Sequence, residues 1–250
     1  MEPLMNIELL GRQDGDKLGL VRVDGFQPPG TALQDALSVI ARDLHRTLEN
    51  FYPNGFSKAA CVHSSLTACA FLKKIGFEWA HVKPVLVNVR SYLPPGRFMS
   101  LGDTRLADDA EGVKALPLSP LAASHWNGHM VVAVQDEIAC LLVDTTLFQV
   151  QRPQWPSLKG MMATTYFDEN YNYCDAGRPR IGRVSIYGHR EKWEACWFDD
   201  KGNNKWQEGR TFNDPEEISI INAAAGALVD LYRKQAGTPI LRKRHRLRIR

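Results

Sequence analysis

Gly128-His129-Met130-Val131-Val132-Ala133-Val134-Gln135-Asp136-Glu137-Ile138-Ala139-Cys140-Leu141-Leu142-Val143-Asp144 is the stretch on which the reading of this chain turns. Two apolar, β-rich runs, residues 129–134 and 138–144, flank a short polar break, which is the pattern of a tight hairpin. A four-residue loop over 135–138 places Val134 opposite Ala139 and, counting outward, His129 directly opposite Asp144. Directly opposed residues of an antiparallel pair share one face, with Cβ atoms about 4.5–5.5 Å apart. An imidazole and a carboxylate then meet on that face. The carboxylate fixes the ring's tautomer and orientation and leaves the other nitrogen to take or give a proton. The bland alternative is a structural His–Asp pair, and a shifted loop would part the two.

Upstream, Pro28-Pro29-Gly30 precedes Leu33, Ala36, Leu37, Ile40, Ala41, Leu44 and Leu48, the spacing of one buried helix face. Thr31 is placed to cap that helix and Pro53-Asn54-Gly55 to end it. A second helix reads from about residue 59 to 74, capped by Ser57, with Lys73-Lys74 in its last turn and a stop at Gly76. Cys61 falls in its first turn. Unsatisfied N–H groups and the positive end of the helix dipole stabilise a thiolate there. A lone cysteine on a helix is otherwise small core filler. If the helix start lies over the His129–Asp144 face, Cys61 would have both a base and an orienter for that base, the arrangement nucleophilic catalysis needs.

The order of these segments resembles the transglutaminase-like branch of the papain-like cysteine enzymes. In that family a cysteine opens a helix, a glycine closes it about four turns later, and a strand follows. A histidine then begins a second strand, and an aspartate lies near the end of the next. The matching segments here are Cys61-Val62-His63-Ser64-Ser65-Leu66-Thr67-Ala68, Ile75-Gly76-Phe77, Gly128-His129-Met130-Val131 and Leu142-Val143-Asp144-Thr145-Thr146. The resemblance spans residues 57–149. It implies Cys61 as nucleophile, His129 as general acid/base, Asp144 as orienter, and a thioester acyl-enzyme released to water or to an amine. Two departures stand out: Ala60 and Val62 flank the cysteine, and Met130-Val131 replaces the usual tryptophan after the histidine. For the oxyanion, the Cys61 backbone N–H is one donor. Trp126 and Asn127, just upstream of His129, are candidates for the second by proximity in sequence alone.

The expected fold is therefore α+β, papain-like or transglutaminase-like, with a catalytic helix packed on an antiparallel sheet. Residues 1–240 read as one such domain, a reasonable size for 250 residues. Residues 82–89 form a strand, with Pro84 favouring an edge or a strand start, and residues 96–124 read as a long irregular excursion. A further strand over 183–187 lies in an aromatic-rich stretch from Tyr166 to Trp206. Tyr166, Tyr171, Tyr173, Trp193 and Trp197 there, with Trp155 just before them, either line a groove or add a second layer of core. The last helix has Asp214 as cap, Pro215 in first position and Glu217 at capping-box spacing. Its inner face is Ile218, Ile221, Ala225, Leu228 and Tyr232, and it stops at Gly237 and Pro239.

Composition narrows the function classes. Hydrophobic residues at 44% and charged residues at 24% exclude collagen-like, disordered and coiled-coil chains. No apolar run reaches the ~18–20 residues of a membrane span, and no secretory leader is evident. Five cysteines, an odd number without a CxxC pair, argue against a disulfide framework or structural zinc and for a reducing cytoplasm. His125 and His129 have i, i+4 spacing, but the β-rich run after Gly128 and the lack of an HExxH pattern speak against a metal pair. No cofactor is expected. Cys69 and Cys140 read as core, Cys174 as exposed without a base, and His63 as a surface or supporting group. Asp168 and Glu169 make no catalytic pair.

Residues 241–250 form a basic tail with Arg242, Lys243, Arg244, Arg246, Arg248 and Arg250. Without these six, 25 basic residues face 28 acidic ones, so the body is mildly acidic. The tail suits weak contact with nucleic acid or an anionic surface, or is a solvated end. The function expected from these readings is hydrolysis of an amide, peptide or thioester by a cytoplasmic thiol enzyme. The alternatives are transfer to an amine, as in transglutaminases or arylamine acetyltransferases, and a noncatalytic protein-binding module. The arginine–glycine–glycine run that marks the acetyltransferase cysteine is absent.

Overall fold

The apolar stripe Leu33, Ala36, Leu37, Ile40, Leu44 and Leu48 forms the buried face of α1, Thr31–Phe51. The structure, a computed structural model, describes residues 6–7, 21–22, 29–52, 61–93, 97–102, 104–109, 112–117, 126, 128–150, 161–166, 174–175, 178–187 and 192–237. The N-cap of α1 is Gly30, and Thr31 is already helical. No side-chain cap is needed at this end. The Gly30 N–H donates to Asp136 Oδ2 at 2.6 Å, which brings a carboxylate to the positive end of the helix.

The second helix, α2, runs Cys61–Lys74, with Lys73 and Lys74 in its last turn. It ends in paired bonds from Phe77 N to Leu72 O (3.0 Å) and from Gly76 N to Lys73 O (3.1 Å), the Schellman pattern. Ser57 and Pro53-Asn54-Gly55 lie outside the described residues.

The strands are β1 (Asn6–Ile7), β2 (Val21–Arg22), β3 (His81–Leu93), β4 (Arg97–Leu101), β5 (Thr104–Asp109), β6 (Gly112–Pro117), β7 (His129–Gln135), β8 (Cys140–Asp144), β9 (Met162–Thr165), β10 (Cys174–Asp175), β11 (Arg178–Tyr187) and β12 (Lys192–Asp199). The main path is β1-β2-β11-β12-β3-β7-β8-β9, antiparallel throughout, with β4 added to β3 and β10 to β11. A short helix α3 (Arg210–Asn213) and a long one, α4 (Pro215–Gly237), follow β12.

The expected irregular excursion over 96–124 is corrected. β4 pairs with β3, while β5 and β6 pair with each other from Thr104↔Pro117 to Asp109↔Gly112. These strands are charged and carry Gly and Pro, so no apolar alternation announces them. Backbone pairing makes them strands.

β3 is central but pairs unevenly. Its first half, His81 to Val85, meets β7, and Val85 to Leu93 meets β12. Pro84 sits where the β12 ladder ends, its C=O accepting from Asp200 N at 3.3 Å. The missing N–H of proline removes no bond from the ladder there, because the pairing with β12 stops at Val85↔Asp199.

Helices α1, α2 and α4 pack on one face of the sheet, around a core that includes Ile40 and Leu44 of the stripe, Phe71, Val132, Val134 and Leu228. On the other face Val85, Val87, Val131, Leu142, Ile181 and Trp197 form a second core. The sheet curls around it until β9 meets β11, where Thr164 Oγ1 donates to Arg183 O at 2.7 Å. Both faces of β7 are thus covered, and every residue from His129 to Val134 is buried.

α4 is capped by Asp214, whose Oδ1 accepts from Glu216 N at 2.9 Å. Glu217 does not close a capping box, because the Asp214 N–H already donates to Arg210 O at 2.8 Å. The Glu217 carboxylate turns instead toward Tyr52 and His63. Ile218 is 41% exposed, since the packed part of α4 begins at Ile221. Among the described residues no helix is long and apolar enough to cross a membrane.

Candidate active site

His129 is the first residue of β7 and Asp144 the last of β8. Their pairing differs from the expected register. Val132 faces Val143 and Gln135 faces Cys140, so the loop is 136–139 rather than 135–138. Asp136 causes the shift. Its N–H donates to Ala139 O at 3.0 Å, and its Oδ1 accepts from Ile138 N (2.8 Å) and Ala139 N (2.7 Å). The side chain thereby completes its own turn.

Moving the loop by one residue moves the register by two, which keeps every side chain on its face. His129 and Asp144 become diagonal rather than direct neighbours, a separation of about 7–8 Å that long side chains bridge. The imidazole does so. His129 Nε2 donates to Asp144 Oδ2 at 2.8 Å, with both side chains essentially excluded from solvent.

Asp144 is satisfied from three directions. Oδ2 also accepts from Trp197 Nε1 at 2.8 Å, and Oδ1 accepts from Thr146 N at 2.9 Å. A carboxylate with this many donors is held in position and kept available as a partner for a cation.

Burial is the largest single influence on His129 and disfavours its charged form. The charge and hydrogen bond of Asp144, joined by the neighbouring Cys61, outweigh it and raise the ring's pKa from 6.5 to about 10. Its Nδ1 is buried without a hydrogen bond of ordinary geometry to the described residues. With Nε2 committed to Asp144, Nδ1 is the nitrogen left for the thiol.

Cys61 is the first residue of α2 and 7% exposed. It clusters with Met130 and Trp206, and Val62, Leu66, Val82 and Trp126 pack against the cluster. Ser65 Oγ, in the next turn, donates to Met130 O at 2.9 Å and ties α2 to β7 one residue past His129. The three residues expected to act together are thus brought to one place, at the start of a helix and the ends of two strands.

Of the two expected oxyanion donors, Trp126 is half-buried beside Cys61, and its Nε1 is buried with no hydrogen bond to the described residues. Its ring folds so closely over Gly128 that a Cβ there would lie 2.1 Å from Trp126 Cζ2, so only glycine admits this fold-back. Asn127 lies outside the described residues.

Sequence reasoning missed Trp206, whose Nε1 is also buried without a hydrogen bond to the described residues and whose ring meets Phe212 edge-on at 5.0 Å. Its one signal was membership of the aromatic stretch. Trp193 and Trp197 are core residues, and Tyr166 is half-buried against the same core. The side chains of Trp155, Tyr171 and Tyr173 lie outside the described residues.

The remaining cysteines are placed differently. Cys69 is buried and points its thiol at Ala80 O, 3.4 Å away, and burial pushes its pKa up. Burial, helped by the charge of Glu194, pushes the Cys196 thiol up to about 12. Cys140 is half-buried rather than core, and the side chain of Cys174 lies outside the described residues, as do His125, Asp168 and Glu169.

Among the described residues no three His, Cys, Asp or Glu side chains are grouped to hold a metal ion. A cavity of about 610 Å³, lined in part by Thr31, Trp79, Asp136 and Ile138, opens at the other end of β7 and does not include Cys61. No family model, curated protein or solved structure matches the chain.

Proposed function

We propose that this protein is a cysteine-dependent acyl-transfer enzyme of transglutaminase-like, papain-like type, and that hydrolysis of an amide, peptide or thioester is its default reaction. One observation carries the reading. A buried imidazole is locked to a carboxylate at 2.8 Å through one nitrogen, its other nitrogen lacks an ordinary partner among the described residues, and a helix-start thiol lies beside it.

In the proposed reaction the Cys61 sulfur attacks the substrate carbonyl carbon while His129 Nδ1 holds the proton from the thiol. The tetrahedral oxyanion takes hydrogen bonds from the Cys61 backbone N–H, a first-turn donor, and from an indole N–H of Trp126 or Trp206. Breakdown expels the amine, which receives the proton from His129, and leaves a thioester on Cys61. Water then adds with His129 as base, and the carboxylic acid leaves with regeneration of the thiol. Asp144 holds the ring in the required tautomer and stabilises its charged form. Transfer to an amine differs only in the nucleophile of the second half.

The test is labelling by iodoacetamide at neutral pH, read cysteine by cysteine by mass spectrometry. Cys61 is expected to react first, and His129→Ala is expected to remove its advantage. Equal, slow labelling of all five cysteines would sink the catalytic reading. The low exposure of Cys61 favours one rival, a noncatalytic module of the same fold that uses this groove to bind a protein partner. It predicts that slow result.

A further inference from the structure

Two residues beyond Cys61, on the other side of the same helical turn, His63 enters a polar junction that the proposed chemistry does not use. Glu217 Oε2 accepts from Tyr52 OH at 2.7 Å and from His63 Nε2 at 3.2 Å. Thr211 Oγ1 lies 3.4 Å from the same His63 nitrogen. The Tyr52 and His63 rings meet edge-to-face at 5.5 Å. Both His63 and Glu217 are largely buried, with side chains 19% and 17% exposed. One carboxylate therefore joins the C-cap residue just past α1, the first turn of α2 and the first turn of α4, with α3 alongside.

The location matters more than the number of bonds. First-turn amides have no intrahelical acceptors, so the start of a helix is held least by its own backbone. Its direction depends on what anchors its side chains. Successive helical residues turn by about 100°, so Cys61 and His63 stand roughly opposite each other around the α2 axis. A rotation of only about 10°, at the roughly 5 Å radius of a side chain, moves the sulfur by about 1 Å. A misplacement of about 1 Å at reacting atoms costs up to about a hundredfold in rate.

We propose that Glu217, acting through Tyr52 and His63, is a positioning residue that sets the rotation of the first turn of α2 and so the approach of the Cys61 thiol to His129. The inference rests on the Cys61–His129 reading above. It gives the Glu217 side chain, free of any capping role, a task in the site.

The test compares the wild type with Glu217→Ala, Glu217→Gln and Tyr52→Phe in the full chain. Three quantities are read: the iodoacetamide rate at Cys61, the titration midpoint of the His129 ring by NMR, and the urea unfolding midpoint. Glu217→Ala is expected to slow Cys61 about tenfold or more and to lower the His129 midpoint as the thiol withdraws from the ring. Tyr52→Phe, which keeps the ring contact and removes one hydroxyl, should move both readouts the same way by less. Glu217→Gln, which still accepts from Tyr52, should recover part of the rate. Should Glu217→Ala not fold, the other two variants decide.

Unchanged rates and midpoints in the folded variants overturn the proposal, as do losses that only track the urea midpoint. If wild-type Cys61 labels no faster than the other cysteines, the catalytic reading fails. The positioning proposal is then decided by the His129 titration alone: a lowered midpoint in the variants supports it, and an unmoved one overturns it.

Discussion

Asp144 receives its hydrogen bonds from three separate parts of the chain: His129, Trp197 and the backbone of Thr146. A hydrogen bond to a charged group contributes about 1.5–3 kcal/mol, and a buried charge that loses a donor keeps the desolvation cost. Trp197→Phe is therefore expected to lower stability by about 1.5–3 kcal/mol, read from urea denaturation, without loss of the fold. No change would mean that the indole bond adds nothing to the carboxylate's environment. The meeting of His129 and Asp144 was legible because both belong to one hairpin, 15 residues apart, where counting along two strands fixes the shared face even though it missed the register by two. The Trp197 bond spans 53 residues and depends on how far the sheet curls, which no local pattern records. Trp206 was hidden for the same reason.

At the scale of elements, the curl of the sheet is most constrained where β11 passes the strands opposite it. A Cβ on Gly182 would lie 2.9 Å from Thr164 Cγ2 and 3.0 Å from Leu142 Cδ2, and the pairing of β11 with β12 shifts between Arg180 and Gly182. The irregularity and the missing side chain together let the strands close over the second core. Overfilling a packed interior costs about 1–3 kcal/mol, so Gly182→Ala should lower the denaturation midpoint with an unchanged slope. An unaltered midpoint would show that the seam has slack. The helices were the most readable elements, because a 3.6-residue stripe appears only when one side is buried. β5 and β6 were the least readable, because their pairing is made by backbone groups that every residue shares. The hairpin of β7 and β8 lies between. Its existence and faces followed from the apolar runs, but its exact frame was chosen by Asp136, one carboxylate bonding to its own turn.

For the whole molecule, the buried imidazole sets a direction for stability against pH. A group whose pKa is higher folded than unfolded stabilises fully below its unfolded value and loses that contribution as the pH rises through its folded value. For His129 the two values are 6.5 and about 10. Stability is accordingly expected to fall as the pH climbs from 6.5. Cys196, pushed from 9.0 to about 12, adds its own loss only above pH 9. Among the described groups with a shifted pKa, the imidazole alone acts in the window from 6.5 to 9. Urea midpoints taken across it should decline for the wild type and stay level for His129→Gln, and parallel declines would contradict the assignment.

β7 has one more consequence, and it concerns which substitutions the chain can accept. Because both its faces are covered, every position from Met130 to Val134 is already closed to polar or bulkier residues by packing. Natural variation should therefore be scarce along these five apolar positions, and their constancy would say little about catalysis. The discriminating positions lie where packing alone makes no demand for a polar group. Those are the imidazole of His129, the carboxylate of Asp144 and the indole nitrogens of Trp126 and Trp206, where a leucine for the aspartate or a phenylalanine for a ring residue would fill similar space and only chemistry would object.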